Sequence, residues 1–95
     1  MNKNVENMGK KIKPLLKRKG IKQAAIFGSY ANGKNNQKSD VDILVELNGE
    51  FGLFEFAGLK MDLEKILRKR VDLVEYKAIR PELKHSILQG QVRIL

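Results

Sequence analysis

The sequence has no cysteine, one histidine and two prolines in 95 residues. The missing cysteines exclude disulfides and thiolate metal sites, and a reducing cytoplasm is the expected location. A single histidine, His85, makes neither a metal cage nor a catalytic triad, so it is read as an ordinary side chain. No apolar run approaches the roughly 20 residues of a membrane span, so no membrane association is expected. Lysines interrupt the N-terminal segment where a signal peptide needs an unbroken apolar core. No G-x-G-x-x-G stretch is present, which argues against a dinucleotide site. Acidic residues are scarce too: 11 against 19 lysines and arginines, a net charge of +8. The excess favours anionic partners in general and identifies none.

The length suits one domain, residues 1–95, with one modest core. Val5, Met8, Ile12, Leu15 and Leu16 recur at helical spacing, with Asn4 as a cap and Gly20 as a stop. Pro14 predicts a kink or a restart inside this helix. Strands are expected at Ile21–Phe27, Asp40–Glu46 and Val71–Tyr76, with a short one over Gln91–Leu95. A helical turn is expected over Ser29–Gly33. A longer helix over Phe54–Arg68 would bury Phe56, Leu59, Leu63, Ile66 and Leu67. Pro81 opens a last helix carrying Leu83, Ile87 and Leu88. This order implies an α/β chain: a small mixed β-sheet, antiparallel in part, with helices packed on it.

The chemistry concentrates in Ile26-Phe27-Gly28-Ser29-Tyr30-Ala31-Asn32-Gly33 and Ser39-Asp40-Val41-Asp42-Ile43-Leu44-Val45. Residues i and i+2 of a strand share a face, so Asp40 and Asp42 lie side by side while Val41, Ile43 and Val45 face the core. Aspartate is depleted from strands, and two close carboxylates repel unless a cation or a shared proton intervenes. Mg²⁺ is the simplest cation that takes carboxylates together with phosphate oxygens. The Gly28-Ser29 corner offers backbone N–H groups and a hydroxyl suited to phosphate. Asp72 lies early in the third strand, opposite Val71 and Leu73. If that strand pairs with the second, Asp72 meets Asp40 and Asp42 across the sheet. Tyr30 and the group Phe51, Phe54 and Phe56 are read as packing, with part of that group left to face a partner.

These motifs, with the lysine-rich first helix and Leu-Glu-Lys-Ile-Leu before Val-Asp-Leu-Val, resemble the minimal nucleotidyltransferases of the polymerase-β-like superfamily. The resemblance covers nearly the whole chain. It implies a polymerase-β-like nucleotidyltransferase fold and transfer of a nucleoside monophosphate, AMP from ATP, with pyrophosphate released. It implies that Asp40, Asp42 and Asp72 bind two Mg²⁺ ions, that Asp72 helps deprotonate the acceptor hydroxyl, and that Gly28 and Ser29 hold the β- and γ-phosphates. Many such proteins are antitoxins, and the implied acceptor is a tyrosine of a HEPN-domain toxin. The chain departs at Asn32, where the family commonly has arginine, a fixed bidentate donor. That departure keeps open a second reading, an antitoxin of weak or no activity that neutralises its partner by binding. Nucleic-acid binding through the basic first helix ranks last, because no recognised reading motif accompanies it.

Overall fold

The computed structural model describes residues 3–95. Its elements are α1 (Lys3–Arg18), β1 (Gln23–Phe27), α2 (Gly28–Asn32), β2 (Val41–Glu46), α3 (Leu53–Leu67), β3 (Val71–Glu75), a 3-10 turn (Tyr76–Ala78), α4 (Pro81–Gly90) and β4 (Val92–Arg93). The strands form one mixed sheet in the order β3-β2-β1-β4. β1 runs antiparallel to β2 and β4, and β2 runs parallel to β3. The α/β class and the mixed sheet agree with the sequence pattern.

Alternation along the strands sorts the two faces. Ala24, Ile26, Val41, Ile43, Val45, Val71 and Leu73 point to one side and join Val5, Met8, Ile12, Leu15 and Leu16 of α1 and Leu59 and Leu63 of α3 in the main core. Ala25 and Leu44 point to the other side, where Ile79, Ile87 and Leu88 cover them. Tyr76 ties this second layer together, its hydroxyl donating to Gln91 Oε1 at 2.8 Å.

α1 runs unbroken through Pro14, so neither a restart nor a break occurs there. Pro14 faces solvent, where water can satisfy the carbonyl that loses its N–H partner. An interior proline costs about 3 kcal/mol. Each buried aliphatic side chain of α1 contributes about 1.5–3 kcal/mol, which outweighs it. Asn4 lies inside the first turn and does not cap the helix from outside. Gly20, at φ +74°, ends it: its N–H donates to Lys17 O and the Ile21 N–H donates to Leu16 O, both at 3.0 Å. This Schellman closure takes Ile21 out of the expected strand, so β1 begins at Gln23.

In α3, Leu59 and Leu63 are buried and Phe56 and Leu67 half-buried, whereas Ile66 lies at the margin of the stripe and is 37% exposed. Leu83 of α4 also faces solvent. Among the described residues no helix is long and apolar enough to cross a membrane.

Candidate active site

The parallel pairing of β2 with β3 sets the site. Val41 is the register partner of Val71, and Asp42 of Asp72. Both valines face the main core, so both aspartates face the other side. Neighbouring strands lie about 4.8 Å apart, which brings the two carboxylates together without any loop holding them. β2 itself starts at Val41, one residue later than the sequence pattern implies. Asp40 thus precedes the strand, two residues before Asp42.

Asp42 is half-buried, while Asp40 and Asp72 are exposed. The Asp42 carboxyl has its pKa pushed up to about 6, first by burial, then by the charge of Asp72, then by that of Asp40. The neighbour in register therefore acts on Asp42 more strongly than the neighbour in sequence. None of the three aspartates takes part in an ion pair among the described residues, whose pairs are Lys10–Glu6, Lys77–Glu75 and Arg80–Glu82.

Gly28 follows β1, whose last residue Phe27 is the register partner of Asp42. Two constraints require glycine there. Its φ is +73°, and a Cβ at that position would overlap the Asp42 carboxylate. The chain thus passes directly beside the carboxylate before turning into α2, which Gly28 and Ser29 open. The first N–H groups of a helix have no intrahelical partner. The corner and the carboxylates accordingly share one end of the sheet.

Among the described residues no three His, Cys, Asp or Glu side chains stand in metal-holding geometry, so the aspartates form no ready-made cage. Mg²⁺ rarely requires one, being held by one or two carboxylates together with substrate phosphates. The donor set is entirely carboxylate oxygen, and the elevated Asp42 pKa reflects a carboxyl that is partly desolvated and, secondarily, crowded by Asp72 and Asp40. Both properties fit a hard divalent cation that arrives with a polyphosphate.

Asn32 accepts a hydrogen bond from the Lys34 N–H at 3.0 Å, next to Gly33 at φ +77°. Its side chain closes its own turn and provides no cation. Tyr30 is core, with the Lys69 ammonium 5.8 Å from its ring centroid. His85 is exposed and Phe51 and Phe56 half-buried, but Phe54 is 88% exposed.

One feature of the site escapes the sequence. A cavity of about 380 Å³ beside Asp40 is lined by Lys38, Arg68, Lys69 and Arg70. Two stretches distant in sequence make it, 37–40 and 68–70. A second cavity, of about 330 Å³, opens at the opposite end of the sheet, beside Glu46, Glu75 and Tyr76.

Comparison with known proteins agrees with this geometry. A protein of Methanocaldococcus jannaschii, named as a candidate protein adenylyltransferase, is 42% identical over 92 residues, 97% of this chain and 99% of the relative. Protein adenylyltransferase MntA of Thermococcus cleftensis is 35% identical over 82 residues, 86% of this chain and 83% of the relative. A chain from a crystal structure of a toxin–antitoxin with AMP-PNP superposes with TM-score 0.79 at 25% identity, over 92% of this chain and 72% of its own length. The family model for polymerase beta nucleotidyltransferases matches residues 10–95, and the chain belongs to that family as a nucleotidyltransferase.

Proposed function

We propose that this nucleotidyltransferase moves AMP from ATP to a hydroxyl of a partner protein, a tyrosine of a HEPN-domain toxin, and thereby acts as an antitoxin. The observation that carries the proposal is the meeting of Asp42 with Asp72 on one sheet face, directly beside Gly28. The names of its relatives support the protein acceptor, and the toxin–antitoxin structure with AMP-PNP supports both a partner and an adenine nucleotide.

In this reading Asp40, Asp42 and Asp72 hold two Mg²⁺ ions. Bound Mg²⁺ would neutralise the triphosphate and the charge that develops on the departing pyrophosphate. Gly28 and Ser29 bind the β- and γ-phosphates through backbone N–H groups and a hydroxyl. Asp72, exposed at the β3 edge, takes the proton of the acceptor hydroxyl as its oxygen bonds to the α-phosphorus. The bond from the α-phosphorus to the bridging oxygen breaks, and that oxygen leaves with pyrophosphate.

A second reading, neutralisation by binding with little turnover, rests on Asn32. Its side chain serves its own backbone where the resemblance expects an arginine. Incubation with labelled ATP, Mg²⁺ and the partner toxin separates the two. Label on a partner tyrosine, lost in Asp40→Ala/Asp42→Ala, supports the enzyme. Toxin neutralised with no label incorporated supports the binder.

A further inference from the structure

The cavity beside Asp40 is bounded by two short stretches, 37–40 before β2 and 68–70 before β3. Hydrogen bonds fix both. The Asn36 N–H donates to Ser39 Oγ at 2.9 Å and the Lys38 N–H to Asn36 Oδ1 at 2.8 Å. The Val41 N–H donates to Arg70 O at 2.8 Å, which joins the two stretches directly beneath Asp40. Glu64 Oε2 accepts the Val71 N–H at 3.0 Å and holds the second stretch to α3.

Lys38, Arg68 and Arg70 have no ion-pair partner among the described residues, and Asp40 is the only acid in the cavity wall. Arg68 is also the only described non-glycine residue with positive φ, at 55°. That helix-ending position favours glycine, and a longer side chain there costs about 1 kcal/mol or more. A costly backbone state that keeps an arginine at the mouth of a cavity points to use of its guanidinium.

Laterally the sheet runs β3, β2, β1. The Gly28 corner lies on the β1 side of Asp42, and the basic cavity lies between the approaches to β2 and β3. The cavity therefore lies on the β3 side of Asp42 and the corner on its β1 side, with Lys69 of the cavity wall reaching back over the Tyr30 ring in α2. No aromatic side chain lines it, so it lacks the stacking surface that single-stranded nucleic acid uses. Paired guanidinium groups in a concave site match carboxylates in a bidentate manner.

We propose that this cavity docks an acidic segment of the partner protein, glutamates or aspartates that flank the acceptor hydroxyl, and so sets acceptor specificity. The proposal rests on the reading of the chain as a transferase acting on a protein. Lys38, Arg68 and Arg70 bind the acidic segment and present the neighbouring hydroxyl to Asp72. Arg68 and Arg70 are positioning residues and touch no reacting atom.

The test uses fluorescence anisotropy with a labelled hexaglutamate peptide as the probe and unlabelled oligouridylate as competitor. Lys38→Gln/Arg68→Gly/Arg70→Gln should weaken peptide binding at least 10-fold. Lys11→Gln/Lys13→Gln/Lys17→Gln removes as many exposed charges from α1 and should change it less than 2-fold. Mg²⁺·AMP-PNP affinity, read separately by calorimetry, should stay within 2-fold in the cavity variant. Equal weakening by both triple variants, or oligouridylate displacing the peptide at lower concentration than hexaglutamate itself, overturns the proposal. A cavity variant that loses nucleotide and keeps peptide also overturns it, assigning the cavity to the triphosphate. Failure of the wild type to bind nucleotide, with peptide binding still confined to the cavity, overturns the transferase reading and with it the acceptor role, and leaves only the docking of an acidic segment in the cavity.

Discussion

The two ends of the β2–β3 pair both carry acids, and they treat them in opposite ways. At one end Asp42 and Asp72 are register partners on the same face, Asp40 stands close by, and none of the three takes part in an ion pair among the described residues. At the other end Glu46 and Glu75 fall on opposite faces by strand parity. There Lys77 Nζ sits 3.7 Å from Glu75. The fold spreads acidic charge at the far end, pairing Glu75 with Lys77, and clusters it where Gly28 brings the chain past the half-buried Asp42 carboxylate. Burial first, and then repulsion from Asp72 and Asp40, raises the Asp42 pKa to about 6, so the arrangement is held at a cost.

Substitutions at the two ends should therefore behave differently. The largest difference is in transfer activity. Asp40→Asn/Asp42→Asn should cut the rate of labelled AMP incorporation by about 10³-fold, the several kcal/mol of charge stabilisation that metal coordination supplies. Glu46→Gln/Glu75→Gln should leave that rate unchanged, and a comparable loss from both pairs would erase the distinction between the ends.

Next comes the glycine. Gly28→Ala forces alanine into positive φ and pushes on Asp42, for a loss of about 2 kcal/mol in urea denaturation. Gly33→Ala, with the same sign of φ but open space around its Cβ, should lose about half as much. Equal losses would mean that the Asp42 contact is without consequence.

A smaller effect has a pH signature. The folded pKa of Asp42, about 6, lies above its ordinary value of 3.8, so the native state holds its proton more tightly. Stability from this group is present below about pH 4 and lost as pH rises through about 6. In the metal-free protein Asp42→Asn should then be more stable than wild type at pH 7.5, by about 1 kcal/mol after allowance for solvent screening of a half-exposed group. The gain should vanish at pH 4, and thermal melts at the two values read it. The smallest effect belongs to the far end, where Glu75→Gln should move stability by less than about 0.5 kcal/mol, because its partner Lys77 is exposed and their 3.7 Å contact is open to solvent on that side.

Much of this contrast was legible in the sequence because strand parity is a strict rule. Val41-Asp42-Ile43 and Val71-Asp72-Leu73 have the same alternation, so burial of the aliphatic residues dictates where the aspartates go. Gly28 was legible as a corner, but its second constraint, the Asp42 carboxylate at its Cα, depends on the antiparallel register of β1 and β2. Ile66 misled because periodicity reports which residues lie on a stripe, and not how far solvent reaches a residue at its margin. The basic cavity was illegible because Lys38 and Arg70 are far apart in sequence and meet only through the Val41–Arg70 hydrogen bond. Of the three phenylalanines read as packing, Phe51 and Phe56 are half-buried and Phe54 is 88% exposed.

The acidic end most directly invites a titration of Mg²⁺·AMP-PNP into wild type and Asp40→Asn/Asp42→Asn at pH 7, followed by calorimetry with and without EDTA. Nucleotide should bind the wild type only when Mg²⁺ is present and should not bind the double variant under either condition. Binding of equal strength in EDTA, or in the double variant, would mean that the clustered aspartates do not form the metal-nucleotide site.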